Sequence, residues 1–208
     1  DYTYLYSGAV RKIKELHSTN ALGAIKSIVS SRLGKGIIRD DVSVFWDLSS
    51  HDLSITNYIL NKTPIAVKAA MTSLNEDITN EKAVMTVYYP DQTEAEFECS
   101  WFSSTKERRM AFYGLDKTIF YDDTLEQNKI KIVDNALSSY PTYDTREALS
   151  ILVSDLFKSL ENNNPSLSDC SFGLDIIKVL EAAQYSLENN GELIQLQQDP
   201  RAIMLEGI

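Results

Sequence analysis

The chain has 208 residues, 43% of them hydrophobic, and a net charge of −10. That is enough apolar material for one ordinary core, so residues 1–208 are expected to form a single domain, with 197–208 as a tail. The excess of carboxylates opposes binding to nucleic acid or to an anionic membrane surface, and no stretch reaches the ~18 apolar residues of a membrane-spanning helix.

The opening DYTYLYSG alternates polar and aromatic residues and reads as a chain joined partway through something longer. Residues 7–23 are expected to form a short helix, with Ser7 able to cap it and Val10, Ile13 and Leu16 on one face. His17 falls in its last turn, where the helix dipole favours a cation, and is expected to be a surface residue. The β-branched run 24–33 predicts a strand. A loop with two glycines follows (34–44), then a helix from about Trp46 to Asn61 and a strand over 63–71.

The middle of the chain predicts strands. Residues 82–90 and 93–102 flank a short PDQ turn, which reads as a hairpin. In the second of these, Ala95, Phe97 and Cys99 alternate with Glu94, Glu96 and Glu98, so one face is buried and the other wet. A second hairpin is expected over 107–123 and another strand over 128–134. Helices are predicted up to about Leu160 and over 171–191. In the latter, Leu174, Ile177, Leu180, Ala183 and Leu187 recur every three or four places. The expected fold class is therefore α+β: an open, mostly antiparallel sheet with helices packed on one face. No βαβ alternation or glycine fingerprint occurs, so a Rossmann domain is absent from this chain.

Cys99 and Cys170 have no metal-ligand spacing and no disulfide framework; both are expected to be reduced core residues of an intracellular, cytoplasmic protein, and no metal site is expected. Asp47 stands four residues before His51, one of only two histidines. Side chains at i and i+4 share a helix face, so the carboxylate can orient or polarise the imidazole, and an imidazole can take a proton from a substrate hydroxyl. The same pair is also what a capped, solvated helix start would show.

Four segments, YLYSGAVRKIKEL, RLGKGIIRDDVSVFWDLSSHDLSI, RRMAFYGLDKTIFYDD and GLDIIKVLEAAQYSLENNG, lie in this order. Together they resemble the C-terminal domain of the Gfo/Idh/MocA oxidoreductases, nearest the sugar-nucleotide branch that includes UDP-N-acetylglucosaminuronate 3-dehydrogenases. The similarity runs to about Leu196. It implies a glyceraldehyde-3-phosphate dehydrogenase-like C-terminal sheet, an N-terminal Rossmann domain as partner, and NAD or NADP as cofactor, bound by residues outside this chain.

The resemblance also implies oxidation of a secondary hydroxyl of a sugar or sugar nucleotide. His51 would act as base with Asp47 beside it, and this chain alone would be inactive. Arg32 would grip a substrate carboxylate or phosphate, and Lys35 and Arg39, on the following loop, could meet a diphosphate. Trp46 is expected in the core, Arg108 and Arg109 in solvent or blunting an edge, and Tyr140 and Tyr143 near a pocket. A homo-oligomer through the open sheet face is expected. The alternatives are an interaction module that mainly dimerises, with an idle Asp–His pair, and a different redox reaction on the same scaffold.

Overall fold

In the computed structural model the described residues are 2–35, 39, 41–75 and 78–196, with the backbone alone for 72–75 and 78–81. The predicted tail lies outside them, as does most of the loop before Asp41. After a 3₁₀ turn (Thr3–Tyr6), the elements run α1 (Gly8–Ser18), β1 (Ile25–Lys35), a π-helical turn (Phe45–Ser49) and α2 (Ser50–Leu60). Next come β2 (Ala66–Asn75), β3 (Ile78–Tyr88), β4 (Glu94–Ser100), β5 (Phe102–Gly114), β6 (Thr118–Asp122), β7 (Ile130–Asp134) and β8 (Leu137–Ser139). The chain continues through α3 (Ala148–Asn162), α4 (Cys170–Glu188) and β9 (Ile194–Gln195).

The strands form one open sheet in the order β8-β7-β6-β5-β1-β4-β3-β2-β9. All described pairings are antiparallel except β1 with β4, which is parallel. Period-2 alternation decides which face is covered. Ile28 pairs with Ala95 on one side and Phe112 on the other, and all three are buried. Their neighbours Val29, Glu94, Glu96 and Tyr113 face solvent. The expected alternation of β4 is therefore observed.

Ile13 of α1, Leu53, Ile55 and Ile59 of α2, and Ile176, Val179, Leu180 and Ala183 of α4 join the covered face in one core. Burying each such side chain stabilises the fold by roughly 1.5–3 kcal/mol.

Three expectations about helices change. Ser7 occupies the N-cap of α1 without a side-chain cap bond; its carbonyl accepts from the Arg11 N–H instead. On α4, Leu174 and Ile177 are 50% and 40% exposed, and the buried stripe is Ile176–Val179–Leu180–Ala183. A helix apolar on more than one face admits two adjacent stripes at the same spacing, and the period alone cannot choose between them. Ser186 extends the buried stripe: its hydroxyl accepts from the Ala69 N–H of β2 and donates to the Glu192 carbonyl. Asp169 caps α4 by accepting from the Phe172 N–H at 2.8 Å. His17 is half-buried near Lys14 and Lys62; burial, then those two charges, lower its pKa, so the expected cation is disfavoured.

Cys99 is buried as expected, but Cys170 is exposed at the start of α4, and both thiols are free. Arg108 and Arg109 lie on β5, an interior strand, rather than at an edge; the Arg109 side chain is 58% exposed, in solvent as expected. No helix among the described residues is long and apolar enough to cross a membrane.

At the first residue of α1, a Cβ on Gly8 would lie 1.8 Å from the backbone carbonyl oxygen of Asp144. Helix propensity alone predicts that Gly8→Ala stabilises the protein by about 1 kcal/mol. The clash predicts the opposite sign, a loss of about 1–3 kcal/mol, readable as a lower urea midpoint; a raised midpoint would refute the close approach.

Candidate active site

β1 carries apolar residues on its covered face until Ile28 and then turns polar: Ser30 and Arg32 follow on the same face and are buried. The first turn of α2 lies over them and brings in Asp52, 2% exposed. Its carboxylate accepts from Ser30 Oγ at 2.7 Å and from Arg32 Nε at 3.1 and 3.0 Å, and Arg32 Nη2 completes the fork. A buried charge survives only when paired and hydrogen-bonded. Burial alone would lower the Arg32 pKa; Asp52 more than reverses this and holds the guanidinium above its ordinary range.

Tyr4, from the N-terminal 3₁₀ turn, packs against this ion pair. Its hydroxyl accepts from Arg32 Nη1 at 3.3 Å, and the guanidinium carbon sits 5.0 Å from the ring centroid. The His51 ring meets the same tyrosine ring at 5.3 Å, inclined by 60°.

Asp47 lies in the π-helical turn that leads into α2. Such a turn widens the spiral by one residue and commonly occurs at functional sites. It also changes the expected i,i+4 geometry. The Asp47 carboxylate accepts from Trp101 Nε1 at 2.7 Å, and among the described residues no hydrogen bond joins it to His51. The two act on each other through space: burial first, then Arg32, lowers the His51 pKa, while Asp52 and Asp47 oppose that shift and Arg108 adds to it. The balance favours the neutral imidazole. Behind this layer Ser49 Oγ donates to Cys99 Sγ at 3.2 Å, and burial pushes the thiol up to about 12, so it is no nucleophile.

Tyr4, Arg32, Asp47, His51 and Trp101 border one cavity of about 570 Å³, a volume suited to a small-molecule ligand. Lys35, Lys106 and Arg108 line the same cavity. Of the residues predicted from sequence, Asp47, His51, Arg32 and Lys35 are thus brought together. Arg39 is not a lining residue; its fork is closed on Asp41 at 2.8 and 2.7 Å. Arg32 is 5% exposed with its fork turned onto Asp52, so most of its donors are already committed.

Asp52 lies beneath the cavity wall, paired with Arg32 and Ser30. Its sign in the sequence is an aspartate flanked by Leu53 and Ile55 in an apolar helix start, opposite a strand arginine. Tyr4, Trp101, Lys106 and Arg108 carry no such sign, because long-range pairing alone brings them here. Trp46 is half-buried beside a different hollow with Asp41 and Gln184. Tyr143 borders a cleft of about 530 Å³ at the start of α1, and Tyr140 a hollow on the open sheet face. Among the described residues no cluster of His, Cys, Asp or Glu could hold a metal ion.

Asp52→Ala leaves the Arg32 charge buried and alone and is expected to cost about 3–5 kcal/mol in denaturant unfolding, whereas the double change Arg32→Met with Asp52→Leu restores most of it. His17 and His51 both have lowered pKa values in the fold. The unfolded chain therefore takes up protons first as pH falls, so stability should drop below about pH 6.5. His51→Gln should flatten that decline; an unchanged slope would contradict the assignment.

The family model described as the GFO/IDH/MocA C-terminal domain matches residues 10–120. No curated protein is similar enough in sequence to match. Among solved structures, aldose-aldose oxidoreductase from Caulobacter crescentus, complexed with glycerol, superposes with a TM-score of 0.81 at 15% identity. It covers 94% of this chain and 63% of its own. An oxidoreductase from Agrobacterium radiobacter, in complex with NAD+, L-tartaric acid and magnesium, gives 0.77 at 15% identity, covering 94% and 64%. UDP-N-acetylglucosamine 3-dehydrogenase from Acidithiobacillus ferrooxidans gives 0.72 at 20% identity, covering 88% and 61%. The chain therefore spans less than two thirds of the length of each. At these identities the likeness shows the fold, the open, mostly antiparallel sheet with helices on one face. With the family match extending over more than half of the sequence, the chain belongs to the C-terminal domain family of the GFO/IDH/MocA oxidoreductases.

Proposed function

We propose that this domain is the substrate-binding and catalytic half of an NAD(P)-dependent oxidoreductase that oxidises a secondary hydroxyl of a sugar or sugar nucleotide. The observation that carries this reading is the His51 imidazole on the wall of the 570 Å³ cavity, with the Asp47 carboxylate fixed nearby by Trp101. A neutral imidazole can accept the hydroxyl proton as the carbinol becomes a carbonyl. Asp47 and Asp52 then stabilise the imidazolium, and Arg32 and Arg108 favour its later deprotonation. Tyr4 orients the ring from one side.

At about 570 Å³ the cavity falls within the range of small-molecule sites, and a sugar ring is the ligand this reading places there. A nicotinamide bound beside it would supply the hydride acceptor. The solved relatives bound to NAD+ or described as NADPH-dependent lend support to that class of cofactor. Lys35 belongs to this reading as a substrate contact, with Arg32 as the fixed charge behind it.

A paired assembly is favoured by a separate observation. The open sheet face carries a hollow of about 390 Å³ bordered by exposed Val29 and Phe120, with the exposed Tyr113 ring against Phe120. A second copy seated face to face would cover it.

In the intact protein, a panel of sugars and sugar nucleotides offered with NAD+ or NADP+ should yield reduced nicotinamide. His51→Ala should lower kcat by about 10²–10⁴-fold with little change in melting temperature. The acid limb of kcat/KM should lie below pH 6.5, because the His51 pKa is depressed. Turnover unchanged by His51→Ala removes the base from the proposal. Light scattering should give a mass above that of one chain, and Phe120→Glu should reduce it.

A further inference from the structure

The antiparallel register of β1 and β5 sets Arg32 directly opposite Arg108 on the covered face. Like charges facing each other across strands destabilise a sheet unless something neutralises them. Asp52 neutralises Arg32, and its oxygens are fully occupied by that arginine and Ser30. Arg108 has no comparable partner. Its nearest carboxylate is Asp123, 3.9 Å from Nη1, and Asp123 is already held by Lys129 Nζ at 2.7 Å and Tyr121 Oη at 3.1 Å. The Arg108 side chain is 40% exposed and lines the cavity.

Two residues earlier on β5, Lys106 lies over Gly34 of β1, where an added Cβ would come within 3.9 Å of Lys106 Cγ. With no side chain at Gly34, nothing from β1 stands between the Lys106 stem and the cavity. Lys106 and Lys35 make no ion pair or side-chain hydrogen bond among the described residues. Among the described residues the wall of this cavity thus holds three cations that Asp52 does not neutralise, Lys35, Lys106 and Arg108, against one carboxylate, Asp47, which is tied to Trp101. This occurs in a chain whose net charge is −10. Unpaired charge of one sign lining a concave wall attracts the opposite sign.

We propose that Lys106 and Arg108 form an oxyanion-binding subsite that grips a phosphate or carboxylate of the substrate, with Arg32 serving as the fixed counter-charge of Asp52. This rests on the preceding reading of the cavity as the substrate site and assigns its specificity. Arg108 offers a planar fork and Lys106 a mobile point charge, a combination that suits a tetrahedral phosphate or a planar carboxylate. The diphosphate of a sugar nucleotide and the carboxylate of a sugar acid are the two sources of that chemistry.

The test is a binding titration of the intact protein with inorganic pyrophosphate, and separately with glucuronate, at low ionic strength. It is followed through the His51 ring signals in NMR spectra, assigned by their loss in His51→Gln. A saturable shift is expected with at least one probe; the tighter probe identifies the diphosphate or the carboxylate source. Lys106→Gln and Arg108→Gln should each weaken that binding about tenfold, while Lys131→Gln, beside the hollow on the opposite face, leaves it unchanged. Equal affinity in the Lys106 and Arg108 variants, or a shift that never saturates, overturns the proposal. Binding is read without turnover. Failure of the subsite alone would leave His51→Ala deficient in oxidation, and failure of the dehydrogenase reading alone would leave anion binding intact.

Discussion

The site depends on one buried ion pair. Arg32 rises from a strand whose other residues on that face are apolar or small, and without Asp52 its charge would have no place there. Asp52 in turn fixes the rotation of the first turn of α2, because its two oxygens must meet both Ser30 and the guanidinium fork. With α2 fixed, His51 has no choice of direction: it emerges beside Tyr4, which the same guanidinium holds through its hydroxyl and its ring face. The pair also sets the electrostatics of the imidazole. Arg32 and Asp52 push the proton affinity of His51 in opposite directions, and burial tips the balance towards the neutral form. A buried pair is weak evidence for stability in itself; here its work is orientation.

Much of this could be read from residues close in sequence. The alternation in β4 identified the covered face, and the turn residues between β3 and β4 and between β5 and β6 located two hairpins. The strand arginine, the histidine and the aspartate one turn earlier were visible as candidates, and the family resemblance agrees with the family match. What escaped was long-range or locally irregular. The π-helical turn breaks the spacing rule that pairs Asp47 with His51, and nothing in FWDLS announces it. Trp101, Tyr4 and Arg108 reach the cavity only because β4, β5 and the N-terminal turn converge around β1. The period cannot place the stripe on α4, because Leu174 and Ile177 satisfy it as well as the residues that are buried.

The charge distribution carries a second lesson. Net charge describes a protein as a whole, whereas a site is defined by what its own walls present. The acidic composition argued against anionic partners in general, yet the wall around His51 is locally basic because two neighbouring strands present their cations to the same hollow. Such an arrangement is unfavourable in the empty domain and therefore has no structural reason of its own.

β1 and β4 form the one parallel pair among the described strands. Two parallel strands finish on the same rim of a sheet, while antiparallel neighbours finish on opposite ones. Lys35 at the end of β1 and Trp101 just past the end of β4 accordingly arrive side by side. β4 passes through Trp101 alone into β5, which fixes that side of the rim, so variation in length is confined to the connection after Lys35. A scaffold with this junction can exchange one ligand for another by editing its rim while the histidine and the ion pair beneath stay where they are.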